Sequence, residues 1–148
     1  LNATSMSAEF QAIIDVSGIY KWNYFKYKFD NTTLPIAINS WITDSTIAEQ
    51  TYGSINNWDV SDVTNMNELF KDKTTFNDNI SGWDVSNVTD MGGMFYNATA
   101  FNQNISNWNI KNVNNWNEFG LNATSMSAEF QAIIDVSGIY KWNYFSYI

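Results

Sequence analysis

The sequence predicts an α/β solenoid in which short parallel strands line one face, short helices line the other, and a helical cap closes the N-terminal side. Three observations carry this expectation. A block of 25 residues recurs three times in the middle of the chain, apolar residues hold the same offsets in each block, and Leu1–Phe25 returns unchanged as Leu121–Phe145. A repeat in the twenties means coils that cannot bury their apolar faces alone and complete one another's core by stacking.

The blocks begin "INNWDVSDVTNMNELF" at Ile55, "ISGWDVSNVTDMGGMF" at Ile80 and "ISNWNIKNVNNWNEFG" at Ile105. They align Trp58 with Trp83 and Trp108, Val60 with Val85 and Ile110, Val63 with Val88 and Val113, and Met66 with Met91 and Trp116. In "WDV" apolar and polar residues alternate, which predicts a short strand with Trp and Val inward. Met91, Met94 and Phe95 then stand at i, i+3 and i+4 behind Thr89 or Asp90 as a cap, predicting one or two turns of helix. Phe76 and Phe101 fill the return to the next coil.

Four stretches follow: 1–25, a copy of the closing coil; 26–54, a strand plus the helical cap; 55–120, the three repeats; and 121–148, a closing helix and a variant fourth coil. "YFKYKFD" alternates aromatic and Lys like a guarded edge strand. "NTTLPIAINSWI" reads as a helix with a capping Thr and Pro in its first turn, and a second helix runs from Asp44 to Tyr52 before Gly53 stops it. Ser127 caps a short helix carrying Phe130, Ile133 and Ile134. With one residue inserted, the variant coil sets Ile134 against Trp108, Val136 against Ile110, Ile139 against Val113 and Trp142 against Trp116, and Ile14 to Trp22 repeats it. The spacing of the two copies suggests a unit of 120 residues, with identical units placed end to end. An added cap and a recent duplication are competing accounts.

Composition excludes several classes of function. A net charge of -8 repels phosphate backbones, so nucleic acid is not an expected partner. Cys and His are absent, which removes thiolate nucleophiles, disulfides, the usual zinc ligands and the commonest general base. No carboxylate pair recurs in surroundings that would separate two pKa values. An enzyme is therefore not expected, with neither catalytic residues nor a cofactor. No apolar run approaches the ~20 residues of a membrane helix, so no span is expected, and the first residues lack a targeting pattern.

The outward positions Asp59, Ser61, Asp84, Ser86, Asn109 and Lys111 form the candidate binding face. Calcium could draw on Asp59, Asp62 and Asp84, but no calcium-loop signature is present, and a solvated acidic face whose Asp residues help the chain turn is a sufficient reading. Sequons stand at Asn2, Asn31, Asn79, Asn87, Asn97, Asn104 and Asn122 as candidate N-glycosylation sites. Trp58, Trp83 and Trp108 belong to the core rather than to a sugar-stacking platform, because they share the inward side with Val60, Val85 and Ile110. Trp41 is the freest tryptophan, unless it belongs to the capping helix. A Thr ladder for binding ice is broken, since Thr64 and Thr89 are followed by Asn114.

The wording "YGSINNWDVSDVTNM", "TTFNDNISGWDVSNVTDMGGMF" and "AFNQNISNWNI" resembles the BspA-like surface-protein repeats, relatives of leucine-rich repeats seen in mycoplasma lipoproteins and in bacterial, protist and viral surface proteins. The resemblance covers residues 52–116, and "LNATSMSAEFQAII" looks like the segment that closes such arrays. It implies a leucine-rich-repeat-like solenoid, extracellular or at the cell surface, serving adhesion or surface structure without catalysis. The third repeat departs from the pattern at Asn109, Trp116 and Gly120, as in a stack decaying toward a cap. The expected function is an extracellular structural protein whose units self-associate end to end into a rod or filament. The alternative is an adhesin that recognises a glycan or surface protein through the acidic face.

Overall fold

A computed structural model of the chain describes residues 27–126, 133–134 and 140–141. Two helices come first, α1 (Thr33–Thr43) and α2 (Ser45–Tyr52). The amides of Thr32 and Thr33 donate to Asp30 Oδ1 at 2.9 and 2.7 Å, so Asp30 holds the start of α1 in place of the expected Thr. Leu34, Ala37, Ile38 and Trp41 are buried, the spacing of one helical stripe. Asp44 ends α1 and caps α2 by accepting from Thr46 and Ile47, and Gly53 stops α2 at φ 76°.

Three coils follow, 55–79, 80–104 and 105–126, and each lies against the next. The expected fold of parallel strands on one face and helices on the other is not what they form. Among the described residues the strands are β1 (Ile133–Ile134) and β2 (Tyr140–Lys141), an antiparallel pair in the register Ile133 with Lys141 and Ile134 with Tyr140. Ile133 and Ile134, expected at the end of a helix, lie in this pair. The rest of the closing helix and variant coil, and all of Leu1–Phe25, fall outside the described residues.

The "WDV" stretch fails as a strand because the chain turns on both sides of it. The Trp58 amide bonds back to the Ile55 carbonyl at 3.3 Å, the Ser61 amide to Asp59 Oδ1 at 3.1 Å, and the Val63 amide to the Val60 carbonyl at 2.9 Å. Local bonds consume the donors that a parallel ladder would need. What remains of ladder geometry is isolated parallel bridges, Asn65 with Asp90, Asp90 with Asn115, and Lys28 with Asp59. Of the edge strand expected in "YFKYKFD", the described residues 27–30 show that last bridge.

The expected helix in the second half of each coil is a ribbon of consecutive turns. In the first coil the amides of Leu69, Lys71 and Lys73 bond back three residues to Met66, Glu68 and Phe70, at 3.1 to 3.3 Å. Between them, the amides of Met66, Glu68, Phe70 and Asp72 donate forward to Asp90, Gly92, Met94 and Tyr96 of the second coil, each at 2.8 Å. The second coil repeats the pattern, with Met91, Gly93, Phe95 and Asn97 donating to Asn115, Asn117, Phe119 and Leu121 at 2.7 to 3.0 Å. Alternate amides thus serve the coil itself and the next one.

This ribbon needs a left-handed residue at every fourth position. Positive φ occurs at Glu68, Gly93 and Glu118 (56°, 59°, 55°) and at Asp72, Asn97 and Asn122 (60°, 56°, 62°). Each is the third residue of its turn, the place where a type II turn demands φ > 0. A four-residue period over two turns is hard to tell from 3.6 in sequence, which is why Met91, Met94 and Phe95 read as helical.

Aromatic ladders fill the core. Phe70 stacks on Phe76 and Phe95 on Phe101 within coils, at 4.1 and 4.0 Å, and Phe70 stacks on Phe95 and Phe76 on Phe101 between coils, at 5.3 and 5.8 Å. In the third coil Gly120 takes the place of Phe70 and Phe95, and a side chain there would meet Met126 Sδ at 3.1 Å. Met126 is buried where Phe76 and Phe101 stood. Phe119 is buried too, edge-on to Phe95 at 5.3 Å.

Candidate functional site

Trp58, Trp83 and Trp108 are buried, and their indoles tie coils together. The Trp83 indole N–H donates to the Ile55 carbonyl at 2.8 Å and that of Trp108 to the Ile80 carbonyl at 3.3 Å, each one coil back. Trp58 donates to Gly53 at 2.9 Å and so fastens the first coil to the end of α2. Trp41 stands edge-on to Trp58 at 5.7 Å and donates to Asp78 at 2.9 Å, which makes it part of the contact between α1 and the coils.

The candidate face of Asp59, Ser61, Asp84, Ser86, Asn109 and Lys111 is a row of turns. Asp59, Asp84 and Asn109 each accept the amide two residues on, from Ser61, Ser86 and Lys111, at 3.1, 3.0 and 3.4 Å. Such a side-chain-to-backbone closure is what Asp and Asn do best. The Ser61 hydroxyl adds a 2.6 Å bond to Asp59. The hydroxyl and amide of Ser86 hold the Asp84 carboxyl below the ordinary carboxylate range, against the opposing pull of partial burial and of Asp59 nearby. Asp62, the third candidate calcium ligand, pairs with Lys28 at 2.9 Å. Among the described residues no three acidic side chains converge on one point.

A second row of the same kind was not singled out in the sequence. Asn65, Asp90 and Asn115 accept the amides of Asn67, Gly92 and Asn117 at 2.8, 2.8 and 3.1 Å. Asp90 Oδ1 also accepts the side-chain amides of Asn67 at 3.3 Å and Asn115 at 2.9 Å, so one oxygen joins three coils. Gly92 makes room for this, since a Cβ there would stand 2.8 Å from both amide nitrogens. The signal was available in the polar residues at i and i+2 that recur every 25 positions.

Other asparagines bridge coils directly. Asn87 and Asn112 donate to the Ser61 and Ser86 carbonyls at 2.9 and 2.7 Å, doing along the "WDV" row what strand ladders would have done. Asn97 donates to Asp72 at 2.8 Å and accepts from Asn122 at 2.9 Å. Asn31 donates to the Thr64 hydroxyl and accepts the Thr64 amide, both at 2.9 Å. Asn79 and Asn104 accept the amides of Ser81 and Ser106 at 2.9 and 3.0 Å. Every sequon asparagine except Asn2, which lies outside the described residues, is thus part of a hydrogen-bonded row.

Among the described residues no polar or charged side chain is buried. A groove of about 480 Å³ lies between α1 and the first coil, lined by Asn31, Pro35, Asn39, Asn67, Glu68 and Lys73 among others. Lys73 reaches Asn39 across it at 3.1 Å, and Glu68 is engaged with Lys71. No helix among the described residues is long and apolar enough to cross a membrane.

Stacked, turn-rich coils of 25 residues, joined by Trp, Asn and Asp rows, define a repeat protein built on its own polar ladders. Residues 37–145 match the model of a family described as Mycoplasma protein of unknown function, DUF285, and the chain belongs to that family. No curated protein and no solved structure matches it.

Proposed function

We propose that the chain is a structural repeat protein of the mycoplasma cell surface, akin to the BspA-like surface repeats, whose units associate end to end. The observation that carries this reading is the identity of Leu1–Phe25 and Leu121–Phe145 in a molecule whose recurring residues are already accounted for by stacking. Membership of a Mycoplasma family is consistent with the surface assignment. The acidic face gives less support to an adhesin, because Asp59 and Asp84 are engaged in closing turns.

Electron microscopy of the purified protein at physiological salt tests the proposal. Rods with a regular axial repeat are the expected result. Discrete single particles up to millimolar concentration overturn it, and loss of a glycan or protein partner on Asp59→Ala with Asp84→Ala would then identify the adhesin.

A further inference from the structure

The geometry points to a peptide-binding site in the groove between α1 and the first coil, where a polypeptide segment lays its backbone N–H groups on a row of four open carbonyls. The site is separate from the acidic face and independent of end-to-end association.

The second and third coils each receive the coil before them through alternate carbonyls. Those of Asp90, Gly92, Met94 and Tyr96 accept amides of the first coil, and those of Asn115, Asn117, Phe119 and Leu121 accept amides of the second. Counting back 25 residues from the second coil gives Asn65, Asn67, Leu69 and Lys71. Among the described residues no donor is bonded to these four carbonyls. All four residues line the groove.

The cap is the cause of the open row. α1 runs where a preceding coil would lie, since Asn31 meets Thr64, Asn39 meets Lys73 and Trp41 meets Asp78 along its length. A helix turns its amides onto its own carbonyls, and the amide of Thr33 at its start is taken by Asp30, so α1 has none to give sideways. It does supply an acceptor: Asn31 Oδ1 receives the Thr64 amide just as the Thr64 carbonyl receives the Thr89 amide one coil on. The cap thus satisfies a donor of the first coil and leaves four acceptors open.

The occupant follows from that row. An unpaired line of backbone groups is a template for another chain, which gains affinity from main-chain bonds to it. Acceptors at every second residue match a backbone that presents every second amide, and in the chain itself the partners of such carbonyls are main-chain amides. The groove, about 480 Å³, has room for a single segment of backbone and not for a further coil. Its charges favour neither sign, because Glu68 is paired with Lys71 and Lys73 stands opposite Asn39 beside Asp72. Recognition is therefore through the backbone and tolerant of sequence.

The test is a titration of the isotope-labelled full chain with a synthetic peptide of residues 65–73, "NMNELFKDK", blocked at both ends and followed by carbonyl-carbon shifts in nuclear magnetic resonance. Within the chain, alternate amides of this segment make the same four bonds to the second coil. The shifts of Asn65, Asn67, Leu69 and Lys71 are expected to move together. The same peptide N-methylated at its equivalents of Met66, Glu68, Phe70 and Asp72 lacks the donors and should bind at least tenfold more weakly. Asn39→Trp, on an exposed position of α1, fills the groove and should weaken the unmodified peptide by a similar factor with the thermal midpoint unchanged. Three results would overturn the proposal: none of the four shifts moves at millimolar peptide, the N-methylated peptide binds equally well, or the Asn39→Trp variant binds as the natural chain does. Movement of the four shifts with maltohexaose and not with the peptide would overturn it in favour of a sugar.

Discussion

Asp84 and Asn109 perform the same task in neighbouring coils, each closing a turn with one side-chain oxygen. The charge of Asp84 is not needed for that bond. Asp84→Asn keeps an acceptor and loses only what ionisation adds, so it should lower the thermal midpoint less than Asp84→Ala, which removes the acceptor and should cost about 1 kcal/mol, the usual net value of one such bond. Scanning calorimetry of the two variants separates the roles. Acid should have a related effect. Asp30, held below its ordinary range by the amide and hydroxyl of Thr33 and the amide of Thr32, and Asp84, held there by Ser86, both have folded pKa values depressed below the unfolded value of ~3.9. Their contribution to stability is present above about pH 4 and is lost as pH falls through the lower folded values. The melting temperature should be level down to about pH 4 and then decline, less steeply when both residues are Asn.

At the scale of the element, the turn ribbon is governed by its left-handed positions. Glu118 sits at φ 55° where the second coil has Gly93 at 59°. An L side chain in that region costs about 1 kcal/mol or more, so Glu118→Gly should raise stability in a urea titration and Gly93→Ala should lower it. Gly92 behaves differently, since its φ is not positive and its role is space. Gly92→Ala should cost about 1–3 kcal/mol through displacement of the Asn67 and Asn115 amides, as overpacking does. Both helices, the 25-residue register and the inward Trp and Val positions were legible in sequence, because burial leaves an apolar signature. Strand and helix within the coil were misread for one physical reason. Asx closures and left-handed residues redirect the backbone every few residues, and neither changes the apolar pattern on which periodicity depends. Trp116 and Gly120, read as decay, are in part a repacking in which Met126 fills the space of a missing ring.

Across the whole molecule, stability is a sum over interfaces between neighbouring coils, so the same substitution should cost different amounts at different levels. Val88 is fully buried between two coils and Val113 only partly buried on the last described one. Val88→Ala should destabilise by about 2 kcal/mol and Val113→Ala by roughly half of that in the monomer, measured by chemical denaturation. The candidate binding face shows how little of a site its residue types reveal: Asp59, Asp84 and Asn109 looked like a ladder of ligands, and each is a turn former.

Along the ribbon the amides of Met66, Glu68, Phe70 and Asp72 donate to the following coil, whereas the amides of Thr89, Asn114 and Ser125 donate back to Thr64, Thr89 and Thr99 of the preceding one. The two faces of a coil therefore offer different patterns of donors and acceptors and cannot be interchanged. A head-to-tail junction that continued this pattern from one molecule to the next could not contain a two-fold axis, because its two sides differ. Such a junction is heterologous, and where its rotation does not close a ring it leaves two chemically distinct tips.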